Sequence, residues 1–128
     1  MIVVDASALV DVLVGQEHAD WVLERMTGDE LVAPAHQVAE VLSAITRLER
    51  AGTLTAEAAA DAVGAASSLP QRLIVPTGGH IRRAFELRAR LRVLDGLYVA
   101  LAEELDVPLL TTDHRLARAE PRCTVLVP

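Results

Sequence analysis

The chain has 128 residues, a length that favours one domain spanning residues 1–128 with a buried core, and 52% of its residues are hydrophobic. Its net charge of −6 argues against a protein that binds nucleic acid by general electrostatic attraction. The single cysteine, Cys123, excludes an internal disulfide, and no apolar run approaches the about 18 residues of a membrane span. Asp5 also interrupts the apolar N-terminus, so we expect no signal peptide and a cytoplasmic protein without membrane contact.

Apolar runs, periodicity and turn residues predict short strands that alternate with helices. Strands are predicted at residues 2–4, 31–33, 73–75, 108–112 and 124–127. Helices are predicted at residues 6–14, 17–26, 34–51, 55–68, 77–91, 94–105 and 114–119. Pro34 is expected to open the third helix, and Thr55 is expected to cap the fourth.

Strands separated by helices indicate a parallel sheet with right-handed crossovers. Ligands of such folds bind outside the carboxyl ends of the strands. Asp5 and Asp113 each follow a predicted strand, so both are expected at that edge of the sheet.

Four acidic residues of separate segments are the candidates for chemistry: Asp5, Glu40, Asp95 and Asp113. Three of them have another interpretation when taken alone, because Asp5 and Asp113 each precede a predicted helix and Asp95 could cap a helix that starts at Gly96. Glu40 interrupts an apolar stripe and has no arginine three or four positions away.

Together, four crowded carboxylates would repel one another by about 3 kcal/mol per pair at roughly 5 Å and an effective dielectric near 20. A hard divalent cation would relieve that repulsion, and oxygen-only ligands suit Mg²⁺ or Mn²⁺ better than Zn²⁺.

The histidines and a cluster of arginines leave alternatives open. His18 and His80 are expected to face solvent, whereas His36, one turn before Glu40, either lines the site or lies on the surface. Five arginines fall within an eleven-residue stretch and either contact phosphate groups or form a solvated helix face: Arg82, Arg83, Arg88, Arg90 and Arg92.

Four segments resemble those of PIN-domain ribonuclease toxins of the VapBC toxin–antitoxin type, and the resemblance covers nearly the whole chain. The segments are residues 3–9 (VVDASAL), 40–44 (EVLSA), 95–105 (DGLYVALAEEL) and 108–113 (PLLTTD). The third and fourth together are the most specific. Gly96 departs from the family pattern, where alanine is more usual, and is expected to loosen the helix start by up to about 1 kcal/mol.

The resemblance implies a three-layer α/β/α fold around a parallel sheet of about five short strands. It also implies that Asp5, Glu40, Asp95 and Asp113 bind Mg²⁺ or Mn²⁺ and hydrolyse RNA through a metal-activated water, leaving 5′-phosphate and 3′-hydroxyl ends. Ser7 and Thr112 match the neighbouring hydroxyls of the family. The implied partners are RNA, a second copy in a homodimer and a small VapB-like antitoxin, with DNA contacted only indirectly through the antitoxin.

Other classes fit the sequence less well. A dehalogenase-like phosphatase needs a second aspartate where Ser7 stands and a lysine, and a receiver domain also needs a lysine that the chain lacks. A metal-dependent DNase of the flap-endonuclease kind needs helical clamps that a chain of this length does not hold. A non-catalytic interaction module, with the acids acting only as helix caps, remains the alternative outside the enzymes.

Overall fold

Five short parallel strands form the centre of the molecule, and seven helices cover the sheet on both faces. The computed structural model describes all residues, 1–128. The strands are β1 (Ile2–Val4), β2 (Leu31–Pro34), β3 (Arg72–Ile74), β4 (Leu109–Leu110) and β5 (Val125–Leu126). The helices are α1 (Ala6–Val14), α2 (Ala19–Met26), α3 (Gln37–Arg50), α4 (Ala56–Ser68), α5 (Gly78–Glu86), α6 (Val93–Leu105) and α7 (His114–Arg118).

The order of the strands places a switch point beside the central strand. The sheet runs β3-β2-β1-β4-β5, and every pairing is parallel. After β1 the chain first adds strands on one side and later returns to add β4 on the other, so a crevice opens at the carboxyl ends of β1 and β4. The predicted α/β fold with a parallel sheet of five short strands is confirmed.

Alternating side chains of the strands divide the core into two layers. Ile2 and Val4 face one side of the sheet, where α1, α2, α3 and α4 pack. Val3 faces the other side, together with buried residues of α6 and α7. Because neighbouring residues of a strand point to opposite faces, a three-residue strand serves both cores.

Two predicted boundaries are wrong for reasons of tertiary structure. Pro34 ends β2 by pairing with Ile74, and α3 begins only at Gln37, so sheet pairing outweighs the preference of proline for a first helical turn. The helix predicted for residues 77–91 ends at Glu86, and a turn then lets both Leu87 and Leu91 reach the second core.

His80 is buried and does not face solvent as predicted. Its Nδ1 accepts the backbone N–H of Thr77 at 3.1 Å in a capping box, and its Nε2 lies 2.6 Å from a carboxylate oxygen of Glu104. Histidine therefore takes the place that Glu or Gln usually holds in this motif.

Gly96 is required for close packing between α5 and α6. A Cβ atom at this position would lie 3.0 Å from the Cα atom of Ala84 and 3.2 Å from its Cβ atom. The glycine thus lets two helices approach closely, beyond any loosening of the helix start.

The helices of the structure are all too short or too polar to span a membrane.

Candidate active site: an acidic cavity at the switch point

All four acids singled out from the sequence line one open cavity of about 540 Å³, which we call the acidic cavity. Asp5 directly follows β1, and Asp113 lies three residues beyond β4 as the N-cap of α7. Glu40 and Asp95 enter from the first turns of α3 and α6. The carboxyl ends of the two strands and the beginnings of three helices thus bring together residues that are up to 108 positions apart in the chain.

Asp5 is the most deeply buried of the four acids and is held by three donors. Its carboxylate accepts the backbone N–H of Ala8 at 2.9 Å, as an N-cap does, and the hydroxyls of Ser7 at 2.8 Å and Thr111 at 2.6 Å. Burial raises the pKa of Asp5 to about 6, although these hydrogen bonds lower it, and the nearby charge of Asp95 adds to the increase. The side chain of Asp5 therefore both caps α1 and lines the cavity.

Glu40 is surrounded by groups that favour its charged form. The hydroxyl of Tyr98 donates to it at 2.7 Å, the Nε2 atom of His36 lies at 3.3 Å, and Arg92 lies at 3.8 Å. Burial raises the pKa of Glu40, but these partners outweigh it and hold the pKa below its ordinary value. Burial and the same hydrogen bond raise the pKa of Tyr98. His36 thus lines the site, and Tyr98 links the cavity to the second core.

The remaining two acids, Asp95 and Asp113, each accept hydrogen bonds from an arginine side chain. Arg92 donates to both oxygens of Asp95, at 3.0 and 3.1 Å, and so bridges Asp95 and Glu40. Arg115 donates to both oxygens of Asp113, with a shortest distance of 2.6 Å. Hydrogen bonding to Arg115 lowers the pKa of Asp113, and Arg92 adds to the effect. Asp95 lies in the first turn of α6 and is not its N-cap, because that helix begins at Val93.

Several residues of the cavity were missed in the sequence. The hydroxyl that contacts Asp5 belongs to Thr111, whereas Thr112 donates its backbone N–H to the hydroxyl of Ser7. Asp11 is a fifth carboxylate of the cavity, and burial raises its pKa. Asp11 lies four residues after Ser7, which also lines the cavity, and that helical spacing would have suggested it. No sequence signal identified Arg115.

The five clustered arginines do not share one face. Only Arg92 lines the acidic cavity. Arg83 pairs with Glu103 of α6, Arg88 stacks on the ring of Phe85, and Arg90 donates to the carbonyl of Ala119. Contact of this stretch with RNA stays a prediction.

The chemistry of the cavity fits a hard divalent cation. Its acidic groups are carboxylates only, and one of them is buried with a raised pKa. As the side chains stand, no three acidic or histidine side chains converge on a point that could hold an ion. Glu40, Asp95 and Asp113 are directed instead toward arginine, histidine and tyrosine partners. A cation that bound here would therefore compete with these partners for the carboxylate oxygens.

The parallel sheet and the acidic cavity at its switch point are the features to compare with known proteins, and those comparisons identify the family. The family model described as PIN domain matches residues 2–120. Ribonuclease VapC3 of Mycobacterium tuberculosis is 46% identical over 126 residues, covering 94% of this chain and 88% of the relative. Ribonuclease VapC12 of the same species is 40% identical over 119 residues, covering 93% and 92%.

The fold is similar to that of a toxin–antitoxin complex from Klebsiella pneumoniae, with a TM-score of 0.69, 18% identity and coverage of 100% of this chain and 98% of the other. The chain belongs to the PIN-domain family and, within it, to the VapC ribonucleases.

Proposed function

We propose that the chain is the toxin of a type II toxin–antitoxin system and an endoribonuclease that depends on Mg²⁺ or Mn²⁺. The observation that carries the proposal is the meeting of Asp5, Glu40, Asp95 and Asp113 in one cavity at the switch point. Two relatives that are at least 40% identical to this chain carry the name ribonuclease, which supports RNA as the substrate.

The four carboxylates are the groups that would hold the cation. When bound, the metal would supply acidification of a water molecule and neutralisation of charge on the phosphoryl oxygens. Ser7 and Thr111 orient Asp5 through their hydroxyls, and Tyr98 orients Glu40. The cavity is open to solvent, so a phosphodiester would have access to the carboxylates.

A ribonuclease assay with matched variants tests this proposal. We expect a panel of RNAs to be cut in Mg²⁺ or Mn²⁺, with 5′-phosphate products, and EDTA to abolish cleavage. Asp95→Asn should lose activity, whereas Asp61→Asn, which changes an exposed acid of α4 that does not line the cavity, should retain it. Undiminished cleavage in EDTA would contradict the metal-dependent mechanism.

Thermal unfolding supplies a readout that is independent of activity. A cation that binds only the folded protein stabilises it by about 2.7 kcal/mol when its concentration is 100 times the Kd. Millimolar Mn²⁺ should therefore raise the Tm of the wild type but not that of Asp95→Asn. Equal stabilisation of both proteins would show that Asp95 does not bind the metal. That result would favour the alternative of a non-catalytic interaction module.

We further propose that the chain is a cytoplasmic homodimer that is inhibited by a small VapB-like antitoxin. Apolar side chains that remain exposed support a partner; they include Val38 and Leu42 on α3, Leu73 on β3, and Ile81 and Phe85 on α5. The solved neighbour from Klebsiella pneumoniae is itself a toxin–antitoxin complex.

Co-expression with a small open reading frame expected beside this gene, followed by light scattering, tests the proposed partners. We expect a co-purifying small protein that suppresses RNA cleavage, and a dimer of the isolated chain. A monomer at all concentrations with no co-purifying protein would contradict the assignment of partners.

A further inference from the structure

Three arginines line the acidic cavity, and they differ in what they contact. Arg92 bridges Asp95 and Glu40, and Arg115 holds Asp113. Arg47, on the last turn of α3, makes no ion pair although it lines the same cavity. The two paired guanidinium groups contact three of the four carboxylates that we assign to the metal site.

Helix stability does not explain why Arg92 and Arg115 lie where they do. Arg92 is the N-cap of α6, and Arg115 is the second residue of α7. The amino-terminal end of a helix carries partial positive charge and disfavours a cation. Asp95 and Asp113 suit those positions, so each arginine is best explained by the carboxylate that it contacts.

The exposure of the two arginines suits a displaceable contact. Their side chains are 59% and 61% exposed, whereas the side chain of Asp95 is 9% exposed. Moving either guanidinium group fully into water costs little because it is already mostly solvated, whereas the buried Asp95 that Arg92 leaves favours another cation in its place. The carboxylates therefore stay in place while the guanidinium groups can swing out.

We propose that Arg92 and Arg115 are built-in counter-cations of the acidic cavity, which hold its carboxylates in the absence of metal and are displaced when a divalent cation binds. The inference rests on the proposed metal-dependent function. It adds that two residues of this chain regulate the affinity for the metal. A carboxylate that accepts two hydrogen bonds from one guanidinium group has one acceptor site on each oxygen occupied by the arginine, and a cation must compete for the same carboxylate. The positive charge of the arginine also repels the cation, so each arginine weakens metal binding, and metal binding weakens each ion pair by the same factor.

Calorimetric titration of the full chain with Mn²⁺ tests the competition. We expect Arg92→Gln and Arg115→Gln to bind Mn²⁺ about threefold to tenfold more tightly than the wild type. Arg47→Gln removes the same charge from the same cavity without breaking an ion pair, and Arg50→Gln removes it from the same helix outside the cavity. Both controls should stay within about twofold of the wild type.

The two controls separate direct competition from a general effect of charge. If Arg47→Gln tightened Mn²⁺ binding as much as Arg92→Gln, only the overall field would matter and the proposal would fail. Arg92→Lys retains the charge but cannot donate to both oxygens of Asp95, so its affinity should lie between those of the wild type and Arg92→Gln.

Displacement itself is visible in the ¹⁵N resonances of the arginine side chains. Addition of diamagnetic Mg²⁺ should shift the Nε signals of Arg92 and Arg115 and leave that of Arg47 unchanged. Wild-type binding of metal with unchanged Nε signals and unchanged affinities in the variants would overturn this inference alone. No binding of Mn²⁺ by the wild type would overturn both this inference and the proposed function.

Discussion

The acidic cavity and the cleft between α5 and α6 are built from similar charged groups in different proportions. The cleft, lined by Arg82, Arg83, Arg122, Glu86, Glu103 and Glu104, carries three guanidinium groups and three carboxylates beside the buried His80. The cavity carries three guanidinium groups and five carboxylates beside His36. Charges therefore balance in the cleft, and two negative charges remain in excess in the cavity.

The difference separates a structural ion pair from a candidate functional site. In the cleft, Arg83 donates to both oxygens of Glu103 at 3.1 Å and joins α5 to α6. In the cavity, Arg92 and Arg115 each lie within three residues of the acid that they mainly contact, Arg47 makes no ion pair, and the buried Asp5 contacts no arginine. An excess of carboxylates that the fold itself leaves uncompensated indicates a site that takes its missing positive charge from outside.

Neutralising one acid of each region should give the largest contrast. We expect Asp113→Asn to lower RNA cleavage by roughly a hundredfold or more, because it removes a carboxylate that would hold the metal. Asparagine caps a helix as well as aspartate does, so the fold should persist. Glu103→Gln, in the cleft, should stay within about threefold of the wild type. Initial rates per folded molecule measure both, and equal losses would erase the functional distinction between the two regions.

The buried Asp5 predicts a pH dependence that is specific to the cavity. Its pKa is raised from 3.8 to about 6, so the folded state binds its proton more tightly than the unfolded state does. The resulting stability is complete below pH 4 and is lost as the pH rises through 6; its loss costs on the order of 3 kcal/mol.

In EDTA at pH 7.5, Asp5→Asn should therefore be more stable than the wild type by up to about 3 kcal/mol. The advantage should shrink to about 1 kcal/mol at pH 4.5, where the folded wild type is largely protonated at Asp5. Urea denaturation at the two pH values measures the difference, with the exposed Asp61→Asn as the control. If Asp5→Asn were less stable than the wild type at pH 7.5, burial of the Asp5 carboxylate would not destabilise the folded protein.

Breaking the ion pair of the cleft should lower stability and leave the cavity unaffected. Arg83 and Glu103 have side chains that are only 18% and 10% exposed, so removal of one leaves the other partly buried without its partner. We expect Arg83→Gln to destabilise the protein by about 1–3 kcal/mol in urea denaturation. Its affinity for Mn²⁺ should match that of the wild type, in contrast to Arg92→Gln. A changed affinity would mean that the two regions are electrostatically coupled.

Gly96 joins the two regions, because it follows Asp95 of the cavity and packs against α5 of the cleft. Alanine in place of glycine usually gains up to about 1 kcal/mol in a helix. A Cβ atom here would meet the backbone of Ala84 at 3.0 Å, so we expect Gly96→Ala to lose about 1 kcal/mol instead. Gly64→Ala, in α4 with no atom within 4 Å of the added Cβ, should show the ordinary gain. Thermal unfolding compares the two, and a stabilised Gly96→Ala would refute the close packing.

Local signals in the sequence were sufficient where a contact is short-range. The bounds of α1, the capping by Asp5 and the capping by Thr55 were predicted correctly, because the partners of each contact lie within three or four residues. The four acids were also chosen correctly as neighbours in space, since parallel strands and helix starts meet at one edge of the sheet. Their role as metal ligands remains a prediction.

Long-range contacts account for what was missed. His80 has the pattern of an exposed helix residue, and only the packing of α6 on α5 buries it against Glu104. Thr111 and Thr112 are equivalent in the sequence, and the direction in which β4 ends decides which hydroxyl reaches Asp5.

Composition, periodicity and the order of strands and helices determined by themselves that this protein has a parallel sheet and gathers four carboxylates at one end of it. Those features follow from hydrophobic burial and strand geometry, which act on each segment alone. Only the tertiary structure decided that Arg92 also reaches Glu40 on another helix, and that the cleft is neutral while the cavity is not. Electrostatic interactions act between segments that are far apart in the chain, so their balance is defined only after the helices have packed.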